Sequence, residues 1–338
     1  MATQTTIAVS VIIPVYNSAS LLRECLTSLK EQTVLQDSFE VIVVDDGSTD
    51  DSASVAEEFG AMVLRQQNQG PAEARNSGVE ASTGDLLLFT DADCVVAPDW
   101  IEEMIRPFED PNVSGTRGRY KTRQRSLVAR FAQVEYEEKY EILKRSDSID
   151  FIDTSSAGYR RSVFKEAGGF SKKFTVASGE DTDLSYRLAE AGHRLVFCPD
   201  AIVFHTHPSE LAHYLRRKYK TAYWRTFLYQ QHPGKMVRDS HTPQTFKFQI
   251  LSLYATCFFS LLLPFFSWSA IGAGLGGLCF LLVSLPFLIF CFTRDPVLSF
   301  AAPIFIFLRT LVFCVGLVLG SMHLFATRLS KAEQPEMS

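Results

Sequence analysis

The sequence predicts an α/β domain built from βαβ units, followed by a helical membrane region. Two observations support the first part. Short apolar, mostly β-branched runs alternate with helical patterns through the first 100 residues, and acidic clusters directly follow several of these runs. The second part rests on residues 249–327, which contain three charged side chains, whereas 21% of the 338-residue chain is charged. We therefore do not expect a disordered, collagen-like or purely soluble protein.

The first part of the chain predicts strands and helices in alternation. The predicted strands are Val9–Pro14, Glu40–Val44, Ala61–Arg65 and Asp85–Thr90. The predicted helices are Ser20–Lys30, Ala53–Phe59 and Pro71–Ala81. Strands separated by helices of this length pair in parallel, and ligands of open α/β sheets bind beyond the carboxyl ends of the strands.

The middle of the chain is less regular. Its segments are a basic polar stretch, two helical patterns and two short strands, at Arg117–Arg130, Phe131–Arg145, Asp181–Ala191, Leu195–Phe197 and Ala201–Phe204. We expect these segments to complete the same domain.

A basic block lies directly before the apolar region. Residues 211–247 carry a net charge of +7, against −13 for residues 1–210 and +1 for residues 248–338. Helical spacing from Glu210 to Tyr229 predicts a helix in the lipid headgroup region. Cations next to a membrane mark its cytoplasmic side and attract anionic lipid. A solvated helix face is the alternative.

The apolar region predicts about three membrane spans, near Phe248–Trp268, Ala270–Phe292 and Phe300–Phe325. With a cytosolic N-terminal domain, three spans place the tail outside, whereas two spans plus a re-entrant or interfacial hairpin return it to the cytosol. Arg309 is costly at the centre of a bilayer. It therefore snorkels, faces a polar cavity or lies beyond the true end of a span.

Glycines recur within the apolar region. Gly272, Gly274 and Gly277 match a dinucleotide-binding pattern, but they lack a βαβ context. We interpret the pairs Gly272/Gly276 and Gly316/Gly320 as small residues that let helices approach closely.

The N-terminal residues and the cysteines do not suggest an exported protein. Residues 1–10 contain no basic region followed by an apolar core, so we expect no signal peptide. The seven cysteines have no metal-binding or redox spacing. We interpret them as buried apolar residues in a reducing compartment.

Two acidic clusters come directly after predicted strands. In Asp45-Asp46-Gly47-Ser48 a carboxylate can accept hydrogen bonds from a base or a ribose, and a turn without a ligand is the alternative. In Asp91-Ala92-Asp93 the two carboxylates suit a hard divalent cation with its phosphates. A turn followed by a helix cap is the alternative.

Two further clusters lie later in the chain. Glu180, Asp181 and Asp183 stand at the start of a helix, where the dipole favours acids whatever their role, but one of them could act as a general base. In His205-Thr206-His207 alternate residues face opposite ways, so we expect at most one histidine to reach a site. A packed, hydrogen-bonded histidine is the alternative.

Together these motifs closely resemble the family 2 inverting glycosyltransferases with a GT-A fold. The resemblance rests on six segments in order: Val9–Ser52, Asn68–Gly78, Gly84–Asp93, Ala167–Phe170, Gly179–Arg187 and Phe204–His207. It covers about residues 8–210 and implies a GT-A domain with a Rossmann-like mixed sheet over 1–208. The charge and hydropathy patterns add three regions, which are a basic interfacial segment over 209–247, transmembrane helices over 248–327 and a polar tail over 328–338.

The resemblance also implies roles for individual residues. The nucleotide-sugar would contact Pro14, Tyr16, Asn17, Asp45, Asp46, Arg75, Asp91, Ala92 and Asp93. Asp45 and Asp46 would bond the base or ribose, and Arg75 would lie near the diphosphate. Mg²⁺ or Mn²⁺ would be held by Asp93, Asp91 and either His205 or, as the less favoured choice, His207. Asp181 would be the catalytic base, with Glu180 beside it.

The implied activity is transfer of one sugar, with inversion, at the cytoplasmic face of a membrane. The donor would be a nucleotide-diphospho-sugar, with a UDP-sugar as first choice, and the acceptor a hydroxyl of a lipid-linked or surface-glycan molecule. The processive members carry a Gln-x-x-Arg-Trp motif, and in the nearest match here, Tyr223-Trp224-Arg225, the order differs. We therefore predict non-processive transfer.

Two other functions are kept as alternatives. A polyprenyl-phosphate monosaccharide synthase would use the phosphate itself as nucleophile and need little help from a base. A non-catalytic membrane scaffold would keep the nucleotide-binding fold, but it would not need Asp93 or Asp181, and both are present. Membrane lipids are an expected partner and nucleic acid is not.

Overall fold

The computed structural model describes residues 9–172 and 179–332. Their contacts divide the chain into two compact units, the first with residues up to 123 and 143–206, the second with residues 124–142 and from 207 onward. The first eight residues of the predicted 1–208 domain and residues 333–338 of the predicted polar tail lie outside the described residues.

The described residues contain eight strands in one sheet. They are β1 (Val9–Val15), β2 (Phe39–Asp45), β3 (Met62–Arg65), β4 (Leu86–Phe89), β5 (Cys94–Val96), β6 (Val113–Lys121), β7 (Ala157–Arg160) and β8 (Arg194–His205).

Twelve α-helices accompany these strands in the described ranges. They are α1 (Ala19–Lys30), α2 (Ser52–Glu58), α3 (Pro71–Ala81), α4 (Trp100–Ile105), α5 (Leu127–Leu143), α6 (Arg161–Glu166), α7 (Glu180–Glu190), α8 (Leu211–Gln231), α9 (Pro233–Val237), α10 (Gln244–Leu261), α11 (Ser269–Arg294) and α12 (Ala302–Ala332).

The sheet is mixed, with strand order β3-β2-β1-β4-β7-β6-β8-β5. Strand β1 is parallel to β2 and β4, and β2 is parallel to β3. Strand β7 is antiparallel to β4 and β6, and β5 is antiparallel to β8. The predicted βαβ part therefore forms the parallel half of the sheet, and the carboxyl ends of β1, β2 and β4 lie at one edge.

The middle of the chain differs from its predicted structure. Part of the predicted basic polar stretch is strand β6, whose glycines weaken the strand pattern but are required by packing. A Cβ on Gly118 would lie 2.0 Å from Ser156 Oγ. The two short strands predicted after residue 194 are one strand, β8. Its register against β6 shifts opposite residues 197–202, so the strand passes Pro199 through an irregularity instead of ending there.

Helix α3 packs closely against the parallel strands. A Cβ on Gly78 would lie 2.5 Å from Ile12 Cγ2 and 3.1 Å from Val44 Cγ2. Arg75, one turn earlier, is buried on the same helix face. The glycine thus lets the helix carry an arginine into the sheet edge.

The helices of the second unit form two close pairs. Helices α10 and α11 are a hairpin, in which a Cβ on Gly276 would lie 2.6 Å from Thr256 Oγ1. Helix α8 pairs with α12, where a Cβ on Gly316 would lie 2.6 Å from the Tyr219 carbonyl oxygen. The geometry agrees with the prediction of close approach at these glycines. The partner of Gly316 is the basic helix α8, however, and not another apolar helix.

Helices α11 and α12 are long and apolar enough to cross a membrane, over Ser269–Arg294 and Ala302–Thr327. Helix α10, in the first predicted span, has 18 residues. The number of crossings stays a prediction.

Arg309 lies in a buried polar cluster of the second unit. Its Nη1 donates to Glu135 Oε1 at 2.7 Å and its Nη2 to Gln249 Oε1 at 2.8 Å. Lys218 Nζ lies 2.8 Å from Glu135 Oε2. Burial opposes ionisation of Glu135, but the attraction of Lys218 and Arg309 prevails and lowers its pKa to about 2. Of the predicted placements, the structure matches a polar environment within the protein.

We expect a Gly276→Leu substitution to destabilise the α10–α11 hairpin. The added side chain meets Thr256 Oγ1 at 2.6 Å and its backbone nitrogen at 2.9 Å, so the helices must separate. Overpacking of this kind costs about 1–3 kcal/mol. The measurement is the melting temperature of the detergent-solubilised protein. Gly274→Leu is the matched control, because a Cβ there meets nothing within 4 Å among the described residues. Equal melting temperatures for the two variants would contradict this packing.

Candidate active site

The candidate site begins in the loops after β1 and β2. Asn17 has a positive φ of 48°, which asparagine tolerates better than most residues. The side-chain oxygen of Asn17 accepts a hydrogen bond from the Thr49 backbone nitrogen at 2.8 Å, and the backbone nitrogen of Asn17 donates to Ser48 Oγ at 2.9 Å. These bonds join the two loops, and Tyr16 beside them is 51% exposed. An exposed aromatic ring at this edge is suited to stacking on a base.

Asp46 and Asp45 hold the surrounding loops in place. Asp46 accepts hydrogen bonds from Gln66 Nε2 at 2.8 Å and from the backbone nitrogens of Gln69 and Gly70 at 2.9 and 2.8 Å. Asp45 accepts one from the Ser48 nitrogen at 2.8 Å. Both carboxylates are buried. Their predicted contacts with a nucleoside stay predictions, because the described bonds already give them a structural role.

Arg75 connects two acidic motifs that lie far apart in sequence. The side chain is 3% exposed. Its Nη2 donates to Asp91 Oδ1 at 2.7 Å, and its Nη1 donates to Glu180 Oε1 at 3.1 Å. Helix α3 therefore holds the loop after β4 and the start of α7 through one guanidinium group. The predicted contact of Arg75 with a diphosphate stays a prediction.

Asp91 is ionised in this setting. Burial alone would raise its pKa, but the charge of Arg75 and a 2.6 Å hydrogen bond from Ser155 Oγ lower the pKa below its usual value. Each of its oxygens accepts a hydrogen bond within the first unit. Ala92, the next residue, is buried.

Strand pairing brings Asp93 and His205 together. In the β5–β8 ladder Cys94 is the register partner of His205. His205 Nε2 lies 3.9 Å from Asp93 Oδ2, and potential ligand atoms of Asp93, Cys94 and His205 all lie within 4.8 Å of one another. The His205 ring is stacked on Tyr120 with centroids 5.3 Å apart. The cluster thus includes the second carboxylate of the Asp-Ala-Asp motif, which is half-buried.

The donor set fits a divalent cation. A carboxylate oxygen suits Mn²⁺ or Mg²⁺ that also binds phosphate oxygens, and an imidazole nitrogen can complete the donor set of a transition-metal ion such as Mn²⁺. Burial and the neighbouring acids raise the pKa of the Cys94 thiol well above its usual value, and a thiol is not among the ligands that Mg²⁺ or Mn²⁺ prefers. The predicted metal ligands Asp93, Asp91 and His205 stay a prediction, and among the described residues Asp93 and His205 are the two predicted ligands that lie in this cluster.

The second histidine of the motif has other partners. His207 Nε2 lies 3.1 Å from Gln133 Oε1, and its ring is stacked on Tyr136 with centroids 5.5 Å apart. The candidate cluster found in the described part of the chain contains His205 and not His207. This agrees with the expectation that one histidine of the pair is favoured.

Asp181 is a carboxylate that resists ionisation. It lies in the first turn of α7, where its Oδ1 accepts a hydrogen bond from the Thr182 nitrogen at 2.7 Å. Burial, then the charges of Glu180 and Asp153, raise its pKa to about 7. A group with this pKa can accept a proton at neutral pH and hold it.

Sequence reasoning missed Asp153 and Ser155. Asp153 accepts hydrogen bonds from Arg117 and Tyr120 and acts electrostatically on Asp181, while Ser155 binds Asp91. The run Asp153-Thr154-Ser155-Ser156 directly before β7 was an available signal. It is a polar cluster adjacent to a buried strand, but β7 is too short to be recognised from its pattern.

Comparison with known proteins adds a family to this geometry. The sequence profile described as glycosyl transferase family 2 matches residues 10–168. A pre-mycofactocin glycosyltransferase of Mycobacterium tuberculosis is 34% identical over 220 residues, which are 62% of this chain and 45% of that protein. Glycosyltransferase AglE of Haloferax volcanii is 31% identical over 213 residues, which are 58% of this chain and 66% of that protein. The chain thus spans less than half of the first of these relatives.

A solved structure shares the fold. It is a mannosyltransferase of Pyrobaculum calidifontis in complex with GDP-Man and Mn²⁺, with a TM-score of 0.57, 21% identity, and coverage of 93% of this chain and 86% of that one. The predicted fold class, a GT-A domain followed by a helical region with apolar C-terminal helices, is confirmed.

We expect Arg75→Met to destabilise the protein strongly. The substitution leaves Asp91 and Glu180 without their shared cation, and breaking a buried ion pair costs about 3–5 kcal/mol. The measurement is the free energy of unfolding in urea. Arg65→Met is the control, since the 3.3 Å pair that Arg65 forms with Glu57 is exposed to solvent on both sides. If both variants unfold at the same urea concentration, Arg75 does not have the structural role described above.

Proposed function

Because the chain belongs to glycosyl transferase family 2, we propose that it transfers a sugar from a nucleotide-diphospho-sugar to an acceptor hydroxyl. The bond between the anomeric carbon and the diphosphate oxygen breaks, and a bond to the acceptor oxygen forms. Asp181 takes the acceptor proton, and the nucleoside diphosphate leaves. One base acting opposite the leaving group gives inversion without a covalent intermediate.

The environment of Asp181 carries this proposal. An ordinary aspartate is too weak a base to hold a proton at neutral pH, but burial, Glu180 and Asp153 raise the pKa of Asp181 to about 7. Arg75 bonds Asp91 and Glu180, the neighbour of Asp181 in sequence, so one side chain holds both the Asp-Ala-Asp motif and the start of the helix that carries the proposed base. A hydroxyl acceptor, which must lose a proton, makes use of such a base.

The cation would be held by Asp93 and His205, with Asp91 ionised close by in sequence. When bound, Mg²⁺ or Mn²⁺ stabilises the negative charge that develops on the leaving diphosphate. The solved relative with GDP-Man and Mn²⁺ supports a nucleotide-sugar donor of this class. We keep a UDP-sugar as the first donor to test. The exposed Tyr16 and the loop that contains Asn17 form the surface proposed to bind the nucleotide base.

We further propose that the protein acts at the cytoplasmic face of a membrane on a lipid-linked or glycan acceptor. The second unit contains two helices apolar enough to cross a bilayer, and residues 211–247 carry a net charge of +7. Anionic headgroups attract such a block. The differing order at Tyr223-Trp224-Arg225 supports transfer of a single sugar.

We expect Asp181→Asn to abolish transfer and leave nucleotide-sugar binding intact, because the amide cannot accept the proton. Transfer is measured as Mn²⁺- or Mg²⁺-dependent release of nucleoside diphosphate over a panel of nucleotide-sugars, with and without membrane lipid extract. Binding is measured by calorimetry. Turnover like that of the unmodified protein in the variant would overturn the assignment. Activity kept only on polyprenyl phosphate would indicate a polyprenyl-phosphate sugar synthase.

The same variant provides its own folding control through pH. When folding raises the pKa of a carboxyl, the free energy of unfolding of the protein falls as the pH rises from the pKa of the group in the unfolded chain, about 3.9, to its pKa in the folded protein, about 7. Above pH 7 the loss is complete, and below pH 4 it is absent. Asp181→Asn should therefore melt at a higher temperature than the unmodified protein at pH 8, with the difference vanishing at acid pH. A variant that melts lower at pH 8 would show that inactivity reflects damage to the fold.

We expect His205→Ala to weaken Mn²⁺ binding by at least about 10–100-fold, the loss typical when a partner that only orients a ligand is removed, because here the proposed imidazole ligand itself is lost. The measurement is a calorimetric titration of the full-length protein with Mn²⁺ in the presence of nucleoside diphosphate. His207→Ala is the matched control, since His207 contacts Gln133 and Tyr136 and should leave the affinity unchanged. A loss of affinity only in the His207 variant would reverse the assignment.

A further inference from the structure

Helix α12 is apolar enough to cross a membrane, yet one of its sides is covered by a basic helix. A Cβ on Gly320 would lie 2.6 Å from the Tyr223 carbonyl oxygen, and Tyr223 Oη lies 2.8 Å from His323 Nδ1. The ring of Phe227 also contacts that of His323, with centroids 5.8 Å apart. Helix α8 therefore runs beside α12 in the same direction from Gly316 to His323.

The opposite side of α12 is an exposed apolar stripe. Its members recur every three to seven residues on one helix face and include Ile304, Leu311, Val315, Val318, Met322 and Phe325. A helix surrounded by lipid would be apolar on all sides, whereas this one separates an apolar face from a face bound to protein.

The outer side of α8 is polar and basic. Arg216, Arg217, Lys220 and Thr221 are exposed. Helix α8 has 21 residues, so it is about 31 Å long, comparable to the hydrocarbon thickness of a bilayer. It is too polar to lie in hydrocarbon along that length.

The register between the two helices fixes the depth of these cations. Gly316 lies near the middle of the apolar stretch Ala302–Thr327, and it contacts α8 at Tyr219 and Ala222. Lys220 lies within that turn. If α12 crossed the bilayer, an exposed lysine would stand near the centre of the hydrocarbon, with Arg217 one turn away.

The hairpin of α10 and α11 differs in this respect. No charged residue occurs between Lys247 and Arg294, and the hairpin turn exposes apolar side chains such as Phe265 and Trp268. Helix α10 contacts the first half of α12, where Tyr254 Oη donates to the Cys314 carbonyl oxygen at 2.8 Å. The hairpin can therefore enter the bilayer without taking α8 with it.

We propose that α12 lies in the plane of one membrane leaflet, with its apolar stripe on the acyl chains and α8 on the headgroup side. This rests on the membrane attachment proposed above. The lipid partner is an anionic leaflet, because the face of α8 turned away from α12 is basic. Only the α10–α11 hairpin then enters the hydrocarbon, and Thr327 stays on the side where α8 begins.

The polar cluster around Arg309 agrees with this placement. Arg309, early in α12, bonds Glu135, which also pairs with Lys218, and Arg225 Nη2 in the second half of α8 lies 2.9 Å from His241 Nε2. In a crossing arrangement these groups would all lie at hydrocarbon depth. In the planar arrangement they lie at the headgroup level, above the apolar stripe.

The test measures depth along α12 in the full-length protein. In a Cys257→Ala/Cys279→Ala background, which removes the two exposed thiols, single cysteines at Ile304, Val315 or Phe325 carry an environment-sensitive fluorophore. The vesicles contain phosphatidylcholine and phosphatidylglycerol, plus lipid with a nitroxide either near the headgroup or near the end of the acyl chain. A planar helix gives the same ratio of shallow to deep quenching at all three positions.

A crossing helix gives a different pattern, with Val315 quenched by the deep nitroxide and the two end positions by the shallow one, and this would overturn the proposal. Ile271 and Ile289 on α11 are the comparison, because their quenching ratios should differ if the hairpin enters the bilayer. Absence of quenching at every position would refute membrane attachment as well. Nucleoside diphosphate release with a soluble acceptor shows separately whether the proposed transfer survives.

Discussion

The structure of the first unit depends on one buried cation. Arg75 is nearly inaccessible to solvent, and it bonds Asp91 and Glu180, which lie 16 and 105 residues further along the chain. A buried charge is tolerated only when its partners stand at the correct distance and angle. Helix α3 must therefore pack tightly on the sheet, which Gly78 permits by admitting Ile12. The sheet edge, the Asp-Ala-Asp loop and the start of α7 are positioned by the same requirement.

The acids around this cation are unequal, and their inequality is the basis of the proposed chemistry. Asp91 accepts a hydrogen bond on each oxygen and keeps its charge, whereas the burial of Asp181 and the charges of Glu180 and Asp153 disfavour ionisation of Asp181. A carboxyl group whose surroundings disfavour its charge lowers the stability of the folded protein, but it is a stronger base than an ordinary aspartate. The strain lies in electrostatics and not in backbone geometry, so a neutral substitute can stabilise the fold while ending catalysis.

The second unit uses a comparable device with the charges reversed. There a single carboxylate, Glu135, binds the cations Arg309 and Lys218. Neither cation would be stable in an apolar setting alone, and each requires the acid that α5 supplies. Hydropathy is therefore an incomplete guide to which helices of this region cross a membrane. It measures the composition of a helix and does not show which side of that helix is covered by another helix. Helix α12 is apolar by composition, but one of its sides packs against α8, whose outer face carries lysine and arginine.

The sequence by itself determined the parallel half of the sheet, the acidic ends of its strands and the separation of charge along the chain. Each of these depends on a pattern that is local in the sequence. Apolar residues recur with the period of the helix or strand that they form, and the acidic and basic residues cluster in short blocks. Strands β6 and β7 were not recognisable from the sequence, because glycine and polar residues occupy positions where neighbouring segments of the chain pack closely. Gly118, for example, packs against Ser156. Only the tertiary structure decided that His205 and not His207 joins Asp93, and that α8 covers α12. Both outcomes follow from pairing between segments about 100 residues apart, which no local pattern encodes.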